Sequence, residues 1–230
     1  MSPVVSLALA TLAFVGTHLA MSHPFRAALV ARLGARGFLG AYSLVSALTL
    51  GWMILAWWQT AGPSPLWVAP LWWWPFASAL MLVASILLVG SLIRNPAFPE
   101  AGNKGTIGPA RGVFAITRHP MNSSFILWAL VHISLSGSAR NLIVAGGILI
   151  LALAGSLGQD AKKARLIGGS WRDWQARTSF MPFAALLDGR TTWRAAFPGW
   201  FALIGGTIFW ALLTSWHAPL VSPLGDLLSR

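Results

Sequence analysis

The chain contains about six apolar stretches that approach the roughly 20 residues a helix needs to cross a bilayer. They cover approximately residues 3–22, 38–60, 72–93, 121–137, 141–159 and 195–216. Hydrophobic residues make up 56% of the 230 residues and charged residues only 9%, which is too few to cover a water-soluble globule. No segment outside these stretches is long enough to fold alone. We therefore predict an all-α, polytopic membrane helix bundle that forms one domain over residues 1–230.

Two segments between the predicted spans have the composition of a membrane–water interface. Residues 65–75 combine prolines with tryptophans, which suits the headgroup region and argues against a regular helix. Residues 159–183 carry Trp171 and Trp174 three positions apart, hence on one helical face, with charged side chains on the others. This second segment is predicted to be an amphipathic helix lying on the interface.

The formal net charge of +11 is concentrated in alternate loops. In a polytopic protein, Lys and Arg are retained on the cytoplasmic side, where they face anionic headgroups. This pattern predicts that the bilayer is the partner of these charges, that nucleic acid is not, and that both termini are periplasmic in a bacterial inner membrane. The basic residues of these loops are Arg26, Arg32, Arg36, Arg94, Lys104, Arg111, Arg118, Lys162, Lys163, Arg165, Arg172, Arg177, Arg190 and Arg194.

His18 and His132 are the two ionisable side chains that lie clearly within predicted spans. Groups of this kind are costly in a bilayer and are candidates for functional sites. The chain has no cysteine, so thiolate ligands are excluded, and two neutral imidazoles from different helices are a suitable ligand pair for a b-type haem. A structural role is the alternative, in which each histidine only hydrogen-bonds to a neighbouring helix.

A second group of candidates lies at a predicted cytoplasmic membrane edge. His119 precedes Pro120 at the start of a span and follows Arg118, and this corner could bind a carboxylate or a phosphate. It could equally anchor the chain to lipid headgroups. Asp160, at the end of the fifth span, could form an ion pair with Lys163 or with Arg118.

Other types of site have little support in the sequence. The glycines between residues 105 and 112 do not follow a predicted strand, so they do not form a nucleotide-binding fingerprint and are predicted to be a flexible loop. Ser123 and Ser124 lack a companion acid for a hydrolytic triad. The histidines are too widely spaced, and the carboxylates too few, to predict a zinc site.

Three stretches together resemble the NnrU family of bacterial membrane proteins. They are H-L-A-M-S-H-P-F-R from His18, T-R-H-P with W-A-L-V-H up to His132, and S-W-R-D-W-Q-A-R-T-S-F-M-P-F up to Phe183. The resemblance covers roughly residues 3–190 and extends to the plant zeta-carotene isomerases, which are haem b membrane enzymes. It implies haem b, with the iron held by His18 and His132, and a redox, sensing or isomerase-like role linked to denitrification. Components of nitrite or nitric oxide reductase are the partners it implies. The isomerases have a cysteine where this chain has Ala129, so a thiol-linked exchange of axial ligand is not expected here.

A more distant similarity is to the isoprenylcysteine and phospholipid methyltransferases. These proteins also have R-H-P before a hydrophobic hairpin and a G-x-x-W-x-x-W pattern after it. The similarity implies an S-adenosylmethionine site formed by Arg118, His119, Asp160 and Arg177. However, the usual Glu-Glu pair is Gln159–Asp160 in this chain, and Trp171 and Trp174 replace the usual tyrosines. A third alternative is a non-enzymatic partner subunit of a reductase.

Overall fold

The structure is a computed structural model that describes residues 1–60, 64–97 and 107–221, with side chains up to residue 217. Its regular elements are helices, and the described residues include no extended strand, so the all-α prediction is confirmed. The helices are α1 Pro3–Ser22, α2 Arg26–Gln59, α3 Trp74–Gly90, α4 Val113–Ile116, α5 Pro120–Leu135, α6 Ala139–Ile167, α7 Gly169–Arg177, α8 Ala184–Leu187 and α9 Trp200–Val221. Short 3-10 turns at Leu71–Trp73 and Trp193–Ala196 precede α3 and α9.

Four helical segments among the described residues are long and apolar enough to cross a membrane. They are Pro3–Ser22, Arg26–Gln59, Leu71–Gly90 and Ala139–Ile167. Helix α5 has only 16 residues, which gives about 24 Å at 1.5 Å per residue. The apolar helix α9 contains 22 residues and lies at the sixth predicted stretch. The count of six spans stays a prediction.

Helix α2 differs most from its predicted span. It begins at Arg26 instead of residue 38, so the arginines expected in a loop lie on helical turns. Gly34 interrupts it with φ 71° and ψ 169°, a backbone conformation that side chains with a Cβ rarely adopt. The apolar pattern located the second half of α2, whereas the basic first half carries no signal of a spanning segment.

The chain divides into two compact units, and the first contains Met1–Val68 and His132–Gln159. Within it, α1 packs against α2 and against the first half of α6, with Leu7, Ala10 and Phe14 in the core. The segment before α3 joins this unit through its tryptophan: Trp67 Nε1 donates to the Ile133 carbonyl at 2.9 Å. The irregular path predicted for this proline-rich stretch is confirmed.

The second unit contains Ala69–Val131 and Asp160–Arg230. Helices α3 and α9 pack together in it. Trp171 and Trp174 share one face of α7 as predicted, but this face is fully buried among residues such as Phe114 and Leu87. The apolar side of α7 therefore contacts protein instead of lipid. Lys104 and Gly105 lie outside the described residues, and the prediction of a single domain stays a prediction.

Candidate functional site

Arg118, His119 and Asp160 form a buried polar cluster in the second unit. Arg118 binds Asp160 Oδ2 through Nε at 2.8 Å and through Nη2 at 2.7 Å. His119 Nε2 lies 3.0 Å from the other carboxylate oxygen, Oδ1. Of the two pairings open for Asp160, the structure therefore shows the one with Arg118. Because a carboxylate only accepts hydrogen bonds, Nε2 of His119 carries a proton.

Residues on both sides of T-R-H-P fix the position of the cluster. Thr117 is extended and its hydroxyl donates to the Phe180 carbonyl at 2.9 Å. The backbone N–H of Arg118 donates to Ser179 O at 2.9 Å. The Phe180 ring makes an edge contact with His119, with centroids 5.8 Å apart. The chain after α7 thus lies along T-R-H-P and holds Arg118 and His119 in front of Asp160.

Burial makes this cluster different from a surface ion pair. The side chain of His119 is 1% exposed and that of Asp160 is 12% exposed. Charged groups this far from water are tolerated when each one is paired and hydrogen-bonded. Asp160 accepts bonds on both oxygens, and the arginine charge balances its own. The cluster can hold His119 in one orientation and fix the site of its proton.

Arg177 is not brought into this cluster by any contact that the structure shows. It lies exposed at the C-terminal end of α7, where its Nε donates to the Asp173 carbonyl at 3.2 Å. A residue that sequence reasoning missed, Arg190, has the structural role at this end of α7. Its guanidinium donates to the carbonyls of Ala176 and Thr178 and binds Asp188 Oδ2 at 2.8 Å. No motif in the sequence distinguished Arg190 from the other basic residues.

His18 lies in the first unit, between α1 and α2. Its Nδ1 is 2.9 Å from the Phe14 carbonyl, so this nitrogen must donate, and in the neutral ring Nε2 is then an acceptor. Ser46 of α2 places its hydroxyl 3.2 Å from Nε2. The rings of Phe14 and Tyr42 lie on either contact side of the imidazole, with centroids at 4.3 and 5.2 Å. No sequence pattern had indicated Ser46.

His132 is half-buried and lies close to the C-terminal end of α5. Its backbone carbonyl accepts a hydrogen bond from Asn141 Nδ2 at 2.6 Å, and the same nitrogen donates to the Ser136 carbonyl at 2.6 Å. Asn141 therefore closes the end of α5 onto the start of α6. His132 belongs to the turn between these helices.

The helix register of the first unit gives the positions of His18 and His132 along the bundle. Gly147 faces Thr11, and Gly158 faces the ring of His23, so α1 and α6 are parallel and His18 is level with Leu153 and Ala154. Asn141, which binds the His132 carbonyl, lies 12 residues before Leu153, or about 18 Å along α6 at 1.5 Å per residue. The two histidines therefore occupy different levels of the bundle.

Among the described residues, no group of three or more histidine, aspartate and glutamate side chains is arranged to hold a metal ion. This observation concerns metal sites with three or more protein ligands. A haem iron needs only one or two histidines, because the porphyrin supplies the other four ligands. His18 is therefore assessed on its own hydrogen bonds.

Comparison with known proteins agrees with the motifs. A family model described as NnrU protein matches residues 6–223, which is most of the chain. Two curated relatives are named 15-cis-zeta-carotene isomerase, chloroplastic, one from Zea mays and one from Arabidopsis thaliana. Each is 33% identical over 79 residues, which is 34% of this chain and 22% of the relative. The chain thus matches about a fifth of the length of these relatives. No solved structure gives a significant match.

Proposed function

Because the chain belongs to the NnrU family, we propose that it is a membrane protein with an isomerase-like role and that it binds haem b through His18. The observation that carries the proposal is the hydrogen bonding of this histidine, with Nδ1 donating to a backbone carbonyl. A metal-bound histidine typically donates its other ring N–H to a carbonyl or a carboxylate in this way. The similarity to proteins named zeta-carotene isomerases supports the isomerase-like role.

The surroundings of His18 fit an axial ligand. The bond to Phe14 O fixes the tautomer that leaves the Nε2 lone pair available, and the aromatic rings on its two sides restrict rotation of the imidazole. The Ser46 hydroxyl that now donates to Nε2 can rotate away when this nitrogen binds a metal. Haem would supply redox chemistry or ligand binding at its iron. The chain's contribution is to orient one nitrogen in an apolar environment.

His132 is the second ligand implied by the resemblance, and the helix register does not favour it on the same iron. Two axial nitrogens lie about 4 Å apart, twice a metal–imidazole bond of about 2 Å. The levels of His18 and His132 differ by far more, since Asn141 lies 12 residues from Leu153 along α6. We therefore propose His18 as the ligand from this chain and treat His132 as a residue to be tested.

Absorbance of the purified, haem-supplemented protein tests the proposal. Wild type should show a Soret band, and His18→Ala should lose it. His217→Ala is the matched control, because His217 is exposed on α9 and should keep the band. The same measurement on His132→Ala decides between one histidine and two. Absence of the band from folded wild-type protein would overturn haem binding, whereas loss in both His18→Ala and His132→Ala would restore the paired ligation.

The S-adenosylmethionine alternative depends on Arg118, His119, Asp160 and Arg177. A cofactor carboxylate needs an available guanidinium, but Arg118 makes two bonds to Asp160 and Arg177 is exposed outside the cluster. The geometry supports this alternative less well than haem binding. Equilibrium dialysis with labelled S-adenosylmethionine tests it directly. Tight binding to wild type that disappears in Arg118→Ala would establish a methyltransferase-type site.

The cellular context is also proposed, from the family resemblance and the distribution of basic residues. We place the chain in a bacterial inner membrane, with both termini periplasmic, in nitrogen-oxide metabolism. Components of nitrite or nitric oxide reductase are the proposed partners. Co-purification of such components from membranes of cells respiring nitrite would support this role, and unchanged nitrite and nitric oxide turnover in a deletion strain would oppose it.

A further inference from the structure

An open groove of about 930 Å³ lies in the second unit, at the end of α3. Gly90, the last residue of α3, lines it, as do Phe197 and Phe201 from the start of α9. Helix α3 is one of the segments that can span a membrane, so its end lies where lipid headgroups meet the apolar core. The groove is thus located at the expected depth of a membrane–water interface.

One side of this groove carries positive charge without a balancing acid. Arg94 and Arg111 line it, and neither makes an ion pair with an acidic side chain in the described part of the chain. Arg94 has φ 52°, a left-handed backbone conformation that is uncommon for a residue with a Cβ. Unpaired guanidinium groups at a membrane surface favour phosphate oxygens, which they bind with charge-assisted hydrogen bonds.

Two further side chains on this groove can donate hydrogen bonds. Asn95 is buried, and its Oδ1 accepts from the backbone N–H of Ala97 at 2.9 Å, which leaves its amide nitrogen as a donor. Trp174 also lines the groove, and its indole N–H is buried without an acceptor among the described residues. A buried donor without an acceptor costs free energy. An oxygen-rich anion would supply the missing acceptors.

The rest of the groove is apolar and exposed. Phe197 and Phe201 are 50% and 56% exposed, respectively, and both line the groove next to the basic side. A small inorganic anion would leave these rings uncovered. An anion attached to a hydrocarbon chain would contact the arginines and the phenylalanines together, and acidic phospholipids have both parts.

From this combination we propose that the groove binds the headgroup of an acidic phospholipid, with its phosphate at Arg94 and Arg111 and its acyl chain along Phe197 and Phe201. The lipid would complete the packing between the end of α3 and the start of α9. This proposal does not depend on haem binding, because the groove residues all belong to the second unit.

Native mass spectrometry of the full chain in detergent tests the proposal. With added phosphatidylglycerol, wild type should retain one lipid more strongly than it retains phosphatidylcholine. Arg94→Gln with Arg111→Gln should weaken this retention about thirtyfold, since each basic residue at an anionic surface contributes roughly a factor of five. Arg172→Gln with Arg194→Gln removes the same charge from exposed positions of the same unit and should retain the lipid.

Three outcomes would overturn the proposal. The first is equal retention of phosphatidylglycerol and phosphatidylcholine by wild type, a result that needs no variant to fold. The second is equal loss of lipid in the groove variant and in the matched arginine control. The third is complete displacement of phosphatidylglycerol by inorganic phosphate at millimolar concentration, which would assign the arginines to free phosphate instead of a lipid.

Discussion

His119 Nε2 lies 3.0 Å from Oδ1 of Asp160, the carboxylate whose other oxygen binds Arg118. Residues more than 40 positions apart in sequence are thereby joined by a carboxylate that uses both oxygens. The apolar cost of burying this group is offset only while all three partners are present.

Removal of the Asp160 charge should therefore destabilise the protein strongly. In Asp160→Asn, the arginine loses its counter-charge inside the protein, and we expect a loss of about 3 kcal/mol in the free energy of unfolding. Thermal unfolding in detergent measures it. Asp188→Asn is the control, because its pair with Arg190 is more exposed and should be worth about 1 kcal/mol or less. Equal effects would mean that the buried cluster is not structurally important.

Replacement of Trp174 tests whether the apolar face of α7 packs inside the protein. Trp174 is 2% exposed, and truncation of a buried tryptophan to alanine costs about 3–5 kcal/mol. Trp174→Ala should lower the unfolding temperature markedly, and Trp193→Ala, at a 61% exposed position, should change it little. If instead α7 faced lipid, the two variants would behave alike.

Gly158 is expected to tolerate no side chain. A Cβ at this position would lie 2.5 Å from the His23 ring, so Gly158→Ala should cost about 1–3 kcal/mol through overpacking. Removal of the ring in Gly158→Ala/His23→Ala should recover part of the loss, and a double-mutant cycle measures the coupling. Gly146→Ala, on the same helix with open space around it, should be stabilising by about 1 kcal/mol. A destabilised Gly146→Ala would attribute the effect to the helix instead of the contact.

The orientation predicted from the basic loops can be tested with reporter fusions. Alkaline phosphatase, which is active only in the periplasm, should be active when fused after residue 230, and green fluorescent protein at that position should be dark. Fusions after Arg177 should give the opposite result, since this position follows a cluster of basic residues. Fluorescence from the fusion at residue 230 would invert the topology.

The helices were predictable because their signals are local. Prolines begin α1 and α5 at Pro3 and Pro120, where the missing N–H is harmless. Apolar composition then located the long helices within a few residues. The break at Gly34 was not predictable, because glycine occurs elsewhere in these helices without interrupting them, as at Gly16 and Gly51.

The candidate site was only partly predictable, because its members come from distant segments. The motif T-R-H-P indicated Arg118 and His119, and Asp160 stood out as a rare acid near a span end. Arg177 and Arg190 have similar local sequences, and only the fold shows which one binds the backbone after α7. The level of His132 likewise depends on how α5 ends against Asn141, which no periodicity reveals.

The interruption of α2 has a consequence for how the chain meets two different solvents. A straight helix from Arg26 to Gln59 would have 34 residues and measure about 51 Å, far more than the roughly 30 Å of hydrocarbon in a bilayer. With the break at Gly34, the apolar part after it matches the thickness of the lipid, while the arginine-bearing turns before it are free to follow the aqueous boundary. A single glycine thus divides one long rod into a portion for oil and a portion for salt water.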